Sequence, residues 1–335
     1  MSSAPAPEQI ARDATWLAQA LDPAAGLVRL IAMDRDSYRA ASFLDDRMLQ
    51  QPVDAQVVSW PEVQAAMNGE LRTDARWIFH IGHVGSTLLS RLMGEISGVL
   101  AIREPRFLRD IAAMPEDLRH PYFEPASKLM SRTFAEDELA CVKATSFVSE
   151  IAPELVPQGE RALFMYATPG NYIASILAGE NSMKELRVLA PGRAGRMAKR
   201  VTGLPANGAD AQLAAAAWAC EMTSLESAAG RMLDRSIEWL DFDRMLADVP
   251  QALGRSADHF GFAAGEAKLI EIAMGPLMTR YSKAMEYEYS PVLRHDLIAE
   301  AEAHHRSDIE TALAMLRRAA EKSPLLARAI ARSES

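Results

Sequence analysis

The chain has 335 residues, of which 49% are hydrophobic and 24% charged, as is ordinary for one extended globular domain or two modest ones. Its formal net charge of −9 argues against general binding to nucleic acid or anionic membranes, because both partners are negatively charged. Two cysteines, Cys141 and Cys220, are too few for a disulfide framework and favour a reducing compartment. The sequence starts without a signal-peptide pattern and contains no apolar run of membrane-spanning length. We therefore predict a cytoplasmic, soluble protein with neither nucleic acid nor membrane as a partner, and the sequence leaves the oligomeric state open.

The first predicted elements precede the main alternating pattern. Residues 7–21 carry apolar positions at helical spacing, residues 26–33 form a β-rich run, and residues 61–67 again have helical spacing. We predict that residues 1–74 form a leader subdomain packed on the core.

The core, predicted over residues 75–265, alternates strands with helices. The β-rich runs are RWIFHI, VLAI, LACVKA, RALFMYA and IEWLDF, and each is followed by a stretch with helical character. This alternation predicts a three-layer α/β fold with a central parallel sheet of about five strands. Residues 187–210, rich in glycine, proline and basic residues, are predicted to be a mobile loop. Residues 266–335 are predicted to be a C-terminal helical extension, with a long amphipathic stretch over 291–321.

A phosphate-binding loop is predicted between the first core strand and the helix after it. Residues 80–87 read HIGHVGST, so the strand ends in a turn with Gly82 and Gly85 and a helix begins at Ser86. Such a turn can point backbone N–H groups at an anion. The helix N-terminus and the hydroxyls of Ser86 and Thr87 add further hydrogen-bond donors. The segment departs from a Walker A motif because serine replaces the lysine, which disfavours ordinary ATP or GTP hydrolysis. A tight turn without a ligand is the alternative.

Several motifs resemble those of sulfotransferases, and they occur in that family's order over residues 76–262. GSTLLSRLM resembles the 5′-phosphosulfate loop P-R/K-S-G-T-T-L-L, and REPR at 103–106 falls where tyrosylprotein sulfotransferases carry E-E-T-R. Lys143 in CVKAT resembles a family lysine at the end of a strand. In YATPGNYIAS, Pro169 and Ser175 are in register with a family Pro and Ser, and residues 240–262 resemble a late structural segment. The resemblance implies a P-loop NTPase-like form of the three-layer fold.

The resemblance also implies an activity: transfer of a sulfuryl group from 3′-phosphoadenosine 5′-phosphosulfate (PAPS) to a hydroxyl or amine acceptor, with no metal. Glu104 would be the catalytic base, Arg106 would bind the acceptor, and Lys143 and His83 would stabilise the transferred group. The residues expected to bind the donor are His83, Val84, Gly85, Ser86, Thr87, Leu88 and Ser175. The alternatives are an ordinary ion pair of Glu104 with Arg103, Arg106 or Arg109, and a lysine at the sheet rim in the case of Lys143.

The sequence departs from the family at three positions. His83 replaces its basic loop residue, Gly82 replaces its proline, and Ala167 replaces an arginine that binds the 3′-phosphate. The candidate substitutes for that arginine are Arg187, Arg193, Arg196, Lys199, Arg200, Arg280 and Lys283. His80, inside a β run, is predicted to be a core residue, and Trp218 is predicted to pack in the core rather than stack on an adenine.

Two other functions remain open at this stage, and so does the identity of the acceptor. One is a P-loop kinase or another nucleotide-dependent phosphotransferase, with Thr87 on Mg²⁺ and Glu104 on the acceptor. The other is a non-catalytic nucleotide-binding protein that retains the anion loop.

Overall fold

In the computed structural model, which describes residues 4–280 and 290–334, the chain forms two sheets surrounded by helices. The strands are β1 Trp16–Asp22, β2 Leu27–Ala32, β3 Ala55–Ser59, β4 Arg76–His80, β5 Val99–Arg103, β6 Leu139–Lys143, β7 Arg161–Tyr166 and β8 Ser236–Asp241. The helices up to the fourth core strand are α1 Pro7–Arg12, α2 Arg35–Ala40, α3 Trp60–Ala66, α4 Ser86–Met93, α5 Arg106–Ala113, α6 His120–Met130 and α7 Ala152–Leu155. The later helices are α8 Pro169–Leu177, α9 Glu180–Met197, α10 Asp210–Arg231, α11 Phe242–Ala247, α12 Val249–Phe260, α13 Glu266–Ala273, α14 Pro291–His304, α15 Arg306–Ala320 and α16 Pro324–Glu334.

The central sheet has five parallel strands in the order β5-β6-β4-β7-β8, which confirms the predicted α/β fold class. Four of these strands are buried along nearly their whole length, as strands covered by helices on both faces must be. The chain moves from β4 to one side for β5 and β6 and to the other side for β7 and β8. The carboxyl end of β4 is therefore a topological switch point, where open α/β sheets bind their ligands.

Aromatic and small side chains fill the core beneath this switch point. Trp77 stacks on Phe79, and Phe79 meets Phe164 edge to face. Trp218, on the buried helix α10, donates its indole N–H to the carbonyl of Ala167 at 2.9 Å and is fully buried. The prediction that Trp218 belongs to the core is therefore confirmed.

The N-terminal part differs from its prediction in one element. The helix predicted over 7–21 ends at Arg12, and Trp16–Asp22 is β1, which pairs with β2 and β3 in a three-stranded antiparallel sheet. The apolar positions fit a helix locally, but pairing with β2 satisfies the backbone and buries five consecutive residues of β1. The strand predicted at 26–33 and the helix at 61–67 are present as β2 and α3. The domain boundaries remain a prediction.

The loop predicted over 187–210 is also wrong in part, because α9 continues to Met197 in spite of its internal proline. Arg193 and Arg196 on this helix reach Glu221 on α10, so α9 is tied to the core by ion pairs. The amphipathic stretch predicted over 291–321 is two helices, α14 and α15, which meet at His305. Within the described ranges, no helix has both the length and the apolar character needed to cross a membrane.

Candidate active site

A cavity of about 1670 Å³ opens at the carboxyl edge of the central sheet. All residues of the loop from Gly82 to Leu88 line it, together with side chains from β6, the β5–α5 junction, α8, α9 and α14. Among the described residues, eleven lysine and arginine side chains and seven aspartate and glutamate side chains line the cavity, in a chain whose formal net charge is −9. The local excess of positive charge favours an anionic ligand.

The loop between β4 and α4 has the backbone geometry of an anion site. Gly82 and Gly85 have φ values of +79° and +62°, in the left-handed region that glycine adopts at little cost. At Gly85 a Cβ would lie 2.0 Å from the ring of Phe242, so this position also requires the absence of a side chain. The helix begins at Ser86, and the first N–H groups of a helix have no intrahelical acceptor. The first N–H groups of α4 can therefore bind an anion in the loop.

Glu104 and Lys143 meet at the edge of the sheet because β5 and β6 are neighbours. The ammonium of Lys143, whose side chain is 1% exposed, pairs with Glu104 and donates a hydrogen bond to Thr87 Oγ1 at 3.0 Å. The backbone N–H of Glu104 donates to the carbonyl of Lys143 at 2.7 Å. Arg47 Nη2 lies 3.7 Å from Glu104 Oε2. One buried cluster thus joins Glu104, Lys143 and Thr87 at the start of α4.

Backbone strain also marks this edge. His83 and Glu104, with φ values of 55° and 53°, are the non-glycine residues with positive φ in the described part of the chain. Residues held in this region cost of order 1 kcal/mol or more and occur most often where function needs them. Both residues are among the predicted site residues.

His80, predicted to be a core residue, is buried but also faces Glu104. Its Nδ1 accepts the N–H of Gly82 at 2.9 Å, and its Nε2 lies 3.8 Å from Glu104 Oε1. An imidazole nitrogen that accepts a hydrogen bond carries no proton, so the neutral ring has its proton on Nε2, facing Glu104. The position of His80 as the last residue of β4 was the available signal, since side chains there lie at the ligand-binding edge.

His83 lies elsewhere on the cavity wall. Its Nε2 is 3.8 Å from Glu185 Oε2 on α9, and its ring meets Tyr172 edge to face. The structure therefore brings Glu104, Lys143 and His80 together, while His83 lies toward α9 in the same cavity.

The arginines near Glu104 in sequence do not pair with it. Arg103 is buried and donates to backbone carbonyls of residues 38, 39 and 41. Arg106 pairs with Asp46 and Asp110 and is not among the residues that line the cavity. The assignment of Arg106 to the acceptor remains a prediction without a contact that supports it.

The residues considered for the 3′ end of a nucleotide are divided between the cavity and the surface. Ala167 is buried at 1% exposure and Ser175 lines the cavity. Burial lowers the pKa of the Arg196 guanidinium, but the neighbouring Glu221 more than offsets this and raises it overall. Arg187 pairs with Asp210 away from the cavity, and Lys283 lies outside the described residues. The candidate cations that line the cavity are Arg193, Arg196, Lys199, Arg200 and Arg280.

The fold and site together define an α/β protein with a glycine-containing loop at the switch point of its parallel sheet. No family model matches the chain, and no curated protein matches it. Among solved structures it is similar to the sulfotransferase domain from the curacin biosynthetic pathway, with 14% identity and a TM-score of 0.43 over 70% of this chain and 91% of that one.

Two further solved structures carry the same family name. The sulfotransferase domain from the Synechococcus PCC 7002 olefin synthase is 15% identical, with a TM-score of 0.41 over 70% of this chain and 88% of that one. Mouse sulfotransferase SULT7A1 complexed with PAP is 9% identical, with a TM-score of 0.42 over 83% of this chain and 96% of that one. All three of these structures are sulfotransferases.

Proposed function

We propose that this protein is a sulfotransferase that moves a sulfuryl group from PAPS to a hydroxyl or amine acceptor. The observation that carries the proposal is the buried Lys143 ammonium, which joins Thr87 of the loop helix to Glu104 at the sheet edge. Sulfuryl transfer needs an anion cradle, a cation at the leaving oxygen and a base for the acceptor proton, all at one point. Here the three groups lie in a single cluster.

The residues present fit the 5′ end of the donor better than its 3′ end. The amides and hydroxyls from Val84 to Leu88 would hold the 5′-phosphosulfate, and Lys143 would neutralise the oxygen that bridges phosphorus and sulfur. PAPS supplies the sulfuryl group on a phosphate that leaves. Ala167 offers the 3′-phosphate no charge, so Ser175 and the cations of α9 are the available contacts. Loss of one arginine–phosphate contact costs roughly 1.5–3 kcal/mol of affinity, so these contacts must replace it.

Glu104 would accept the proton of the acceptor, and its environment explains how the carboxylate is kept ready. Its pairing with Lys143 places it at the loop, and the Nε2–H of His80 faces the same carboxylate. An anion in the loop would compete with Glu104 for the Lys143 ammonium and leave the carboxylate available for the proton. His80 would then act as a positioning residue, because the loop N–H fixes its tautomer.

A phosphotransferase is the second candidate, and one contact weighs against it. Its Thr87 would have to bind Mg²⁺, but the hydroxyl of Thr87 accepts a hydrogen bond from the Lys143 ammonium. That hydroxyl is therefore already in contact with a cation. Together with the serine in place of the Walker lysine, this favours transfer without a metal.

The substitution Glu104→Gln tests the proposal, with Glu95→Gln as a matched control at a glutamate that pairs with Arg39 away from the cavity. We expect Glu104→Gln to bind 3′-phosphoadenosine 5′-phosphate (PAP) about as tightly as the unaltered protein. Release of PAP from PAPS, assayed with a panel of phenols, alcohols and amines, should fall about 10²–10⁴-fold. Full turnover in Glu104→Gln would remove the base assignment, and absence of PAP binding to the unaltered protein would remove the proposal itself.

A further inference from the structure

Arg109, one turn beyond Arg106 on α5, lines the cavity, and its charge acts on Asp45 and Asp110 without a direct ion pair to either. It is half-buried and makes no hydrogen bond or ion pair with the described residues. The nearest carboxylates on its own side are already held: Asp45 accepts from Arg47, and Asp110 accepts from Arg106 and from the backbone N–H of residue 21. A half-buried guanidinium with unused donors calls for a ligand with acceptor oxygens.

A second arginine of the cavity follows the end of α5 in the chain. Arg119 lines the cavity, and its Nε donates to the carbonyl of Met114 at 2.8 Å, which orients the planar guanidinium. Two acidic residues that line the cavity have cations of their own, since Glu154 pairs with Arg231 and Glu150 with arginines of α9 and the segment after it. Among the described carboxylates that line the cavity, Glu116 is exposed and Asp45 already accepts from Arg47, so the guanidinium groups of Arg109 and Arg119 keep donors available for an anionic ligand.

The surface beside these two arginines is apolar. Phe123 and Phe147 line the cavity together with Ala112 of α5. Both phenylalanines are half-buried, so each has surface left to pack against a ligand. An acceptor that fills this part of the cavity would place an apolar body on the aromatic side chains and an anionic group on the guanidinium groups.

We propose that Arg109, assisted by Arg119 of the same cavity, binds a carboxylate of the acceptor, so that the acceptor is a hydroxylated carboxylic acid with an apolar body. The inference rests on the proposed sulfotransferase function and assigns a substrate class to the same cavity. A guanidinium presents two parallel N–H donors to a carboxylate, which fixes orientation as well as charge. Glu104 lies two residues before α5 and Arg109 in its first turn, so a carboxylate bound at Arg109 would hold the acceptor near Glu104 in the same cavity.

Matched acids and amides test the proposal, because each pair differs in charge and hardly in shape. The probes are 3-(4-hydroxyphenyl)propanoate and 10-hydroxydecanoate, each with its primary amide, assayed for binding to PAP-saturated protein and for turnover with PAPS. We expect at least one acid to be preferred over its amide by about 10–100-fold, the range of a charged hydrogen-bonded contact. In Arg109→Gln the preference for the acid should disappear because KM of the acid rises. The kcat value, KM of the amide and the PAP affinity should stay unchanged.

The control is Arg255→Gln, at an exposed arginine that does not line the cavity, which should keep the preference. Arg109→Lys, which keeps the charge but not the planar guanidinium, should keep part of the preference for the acid. The inference is overturned if PAP-loaded protein shows no acid preference in either pair, or if Arg109→Gln retains the preference. Failure of the unaltered protein to bind PAP would instead overturn the function on which the inference rests.

Discussion

Replacement of Lys143 by methionine removes the ammonium that joins Glu104 to Thr87 and leaves an unbranched side chain of similar length. The Lys143 side chain is 1% exposed and that of Glu104 12%, so the substitution leaves a nearly buried carboxylate without its closest cation. Breaking a buried ion pair on one side costs about 3–5 kcal/mol. Arg47, 3.7 Å from the same carboxylate, offsets part of this loss. We therefore expect Lys143→Met to lower the free energy of unfolding by about 3 kcal/mol.

Urea unfolding at pH 7.5 measures this change, and the double variant Glu104→Gln/Lys143→Met identifies its cause. Removing both charges leaves no unpaired buried ion, so the double variant should recover about 2 kcal/mol of the loss. Arg39→Met is the matched control, because Arg39 pairs with Glu95 at 66% exposure and exposed pairs contribute under about 1 kcal/mol. A stability of Lys143→Met equal to that of the unaltered protein, or a double variant no more stable than Lys143→Met, would refute the reasoning.

The remaining predictions concern the loop, the histidine beside the base and the thiols. Gly85→Ala should abolish PAP binding and destabilise the protein by more than Gly159→Ala. Gly159 also has a positive φ but open space around it, so its substitution should cost about 1 kcal/mol. Equal losses in calorimetric unfolding would argue against the close aromatic contact at Gly85. His80→Asn keeps a hydrogen-bond acceptor for the N–H of Gly82 but has no donor that faces Glu104. PAP affinity should therefore stay near normal while kcat falls about 10-fold. His80→Gln should instead weaken PAP binding, and indistinguishable kinetics of the two variants would contradict the positioning role. Burial raises the pKa of both Cys141 and Cys220 to about 12, which leaves little thiolate at pH 8. Neither thiol should react with a disulfide reagent in the native protein, and both should react in denaturant. Rapid reaction in the native protein would be inconsistent with their burial.

The sequence was sufficient for the elements that depend on local pattern. The five core strands are short apolar runs bounded by helical segments, and the loop has its two glycines at a strand end, so all six were predictable. The strand Trp16–Asp22 was missed because its pairing with β2 is a contact between segments that its own apolar spacing does not specify. Helix α9 was missed because its anchors, the ion pairs to Glu221, come from another helix.

The sequence suggests candidate residues for the site but not how they are arranged. A sequence indicates that Glu104 and Lys143 each lie at a strand end, but only the strand order places β5 beside β6 and brings them into contact. The choice between His80 and His83 depends on which way each side chain points at the turn. Arg109 lines the cavity and Arg106 does not, and this difference depends on how α5 is rotated about its axis.

The central claim is that the loop beneath Lys143 holds the phosphate end of a 3′-phosphoadenosine donor. Thermal unfolding of the unaltered protein with PAP, with ATP–Mg²⁺ and with buffer alone tests it directly. The account predicts stabilisation by PAP, about 2.7 kcal/mol at a concentration 100 times its Kd, and none by ATP–Mg²⁺ at the same concentration. Stabilisation by ATP–Mg²⁺ alone, or by neither nucleotide, would contradict it.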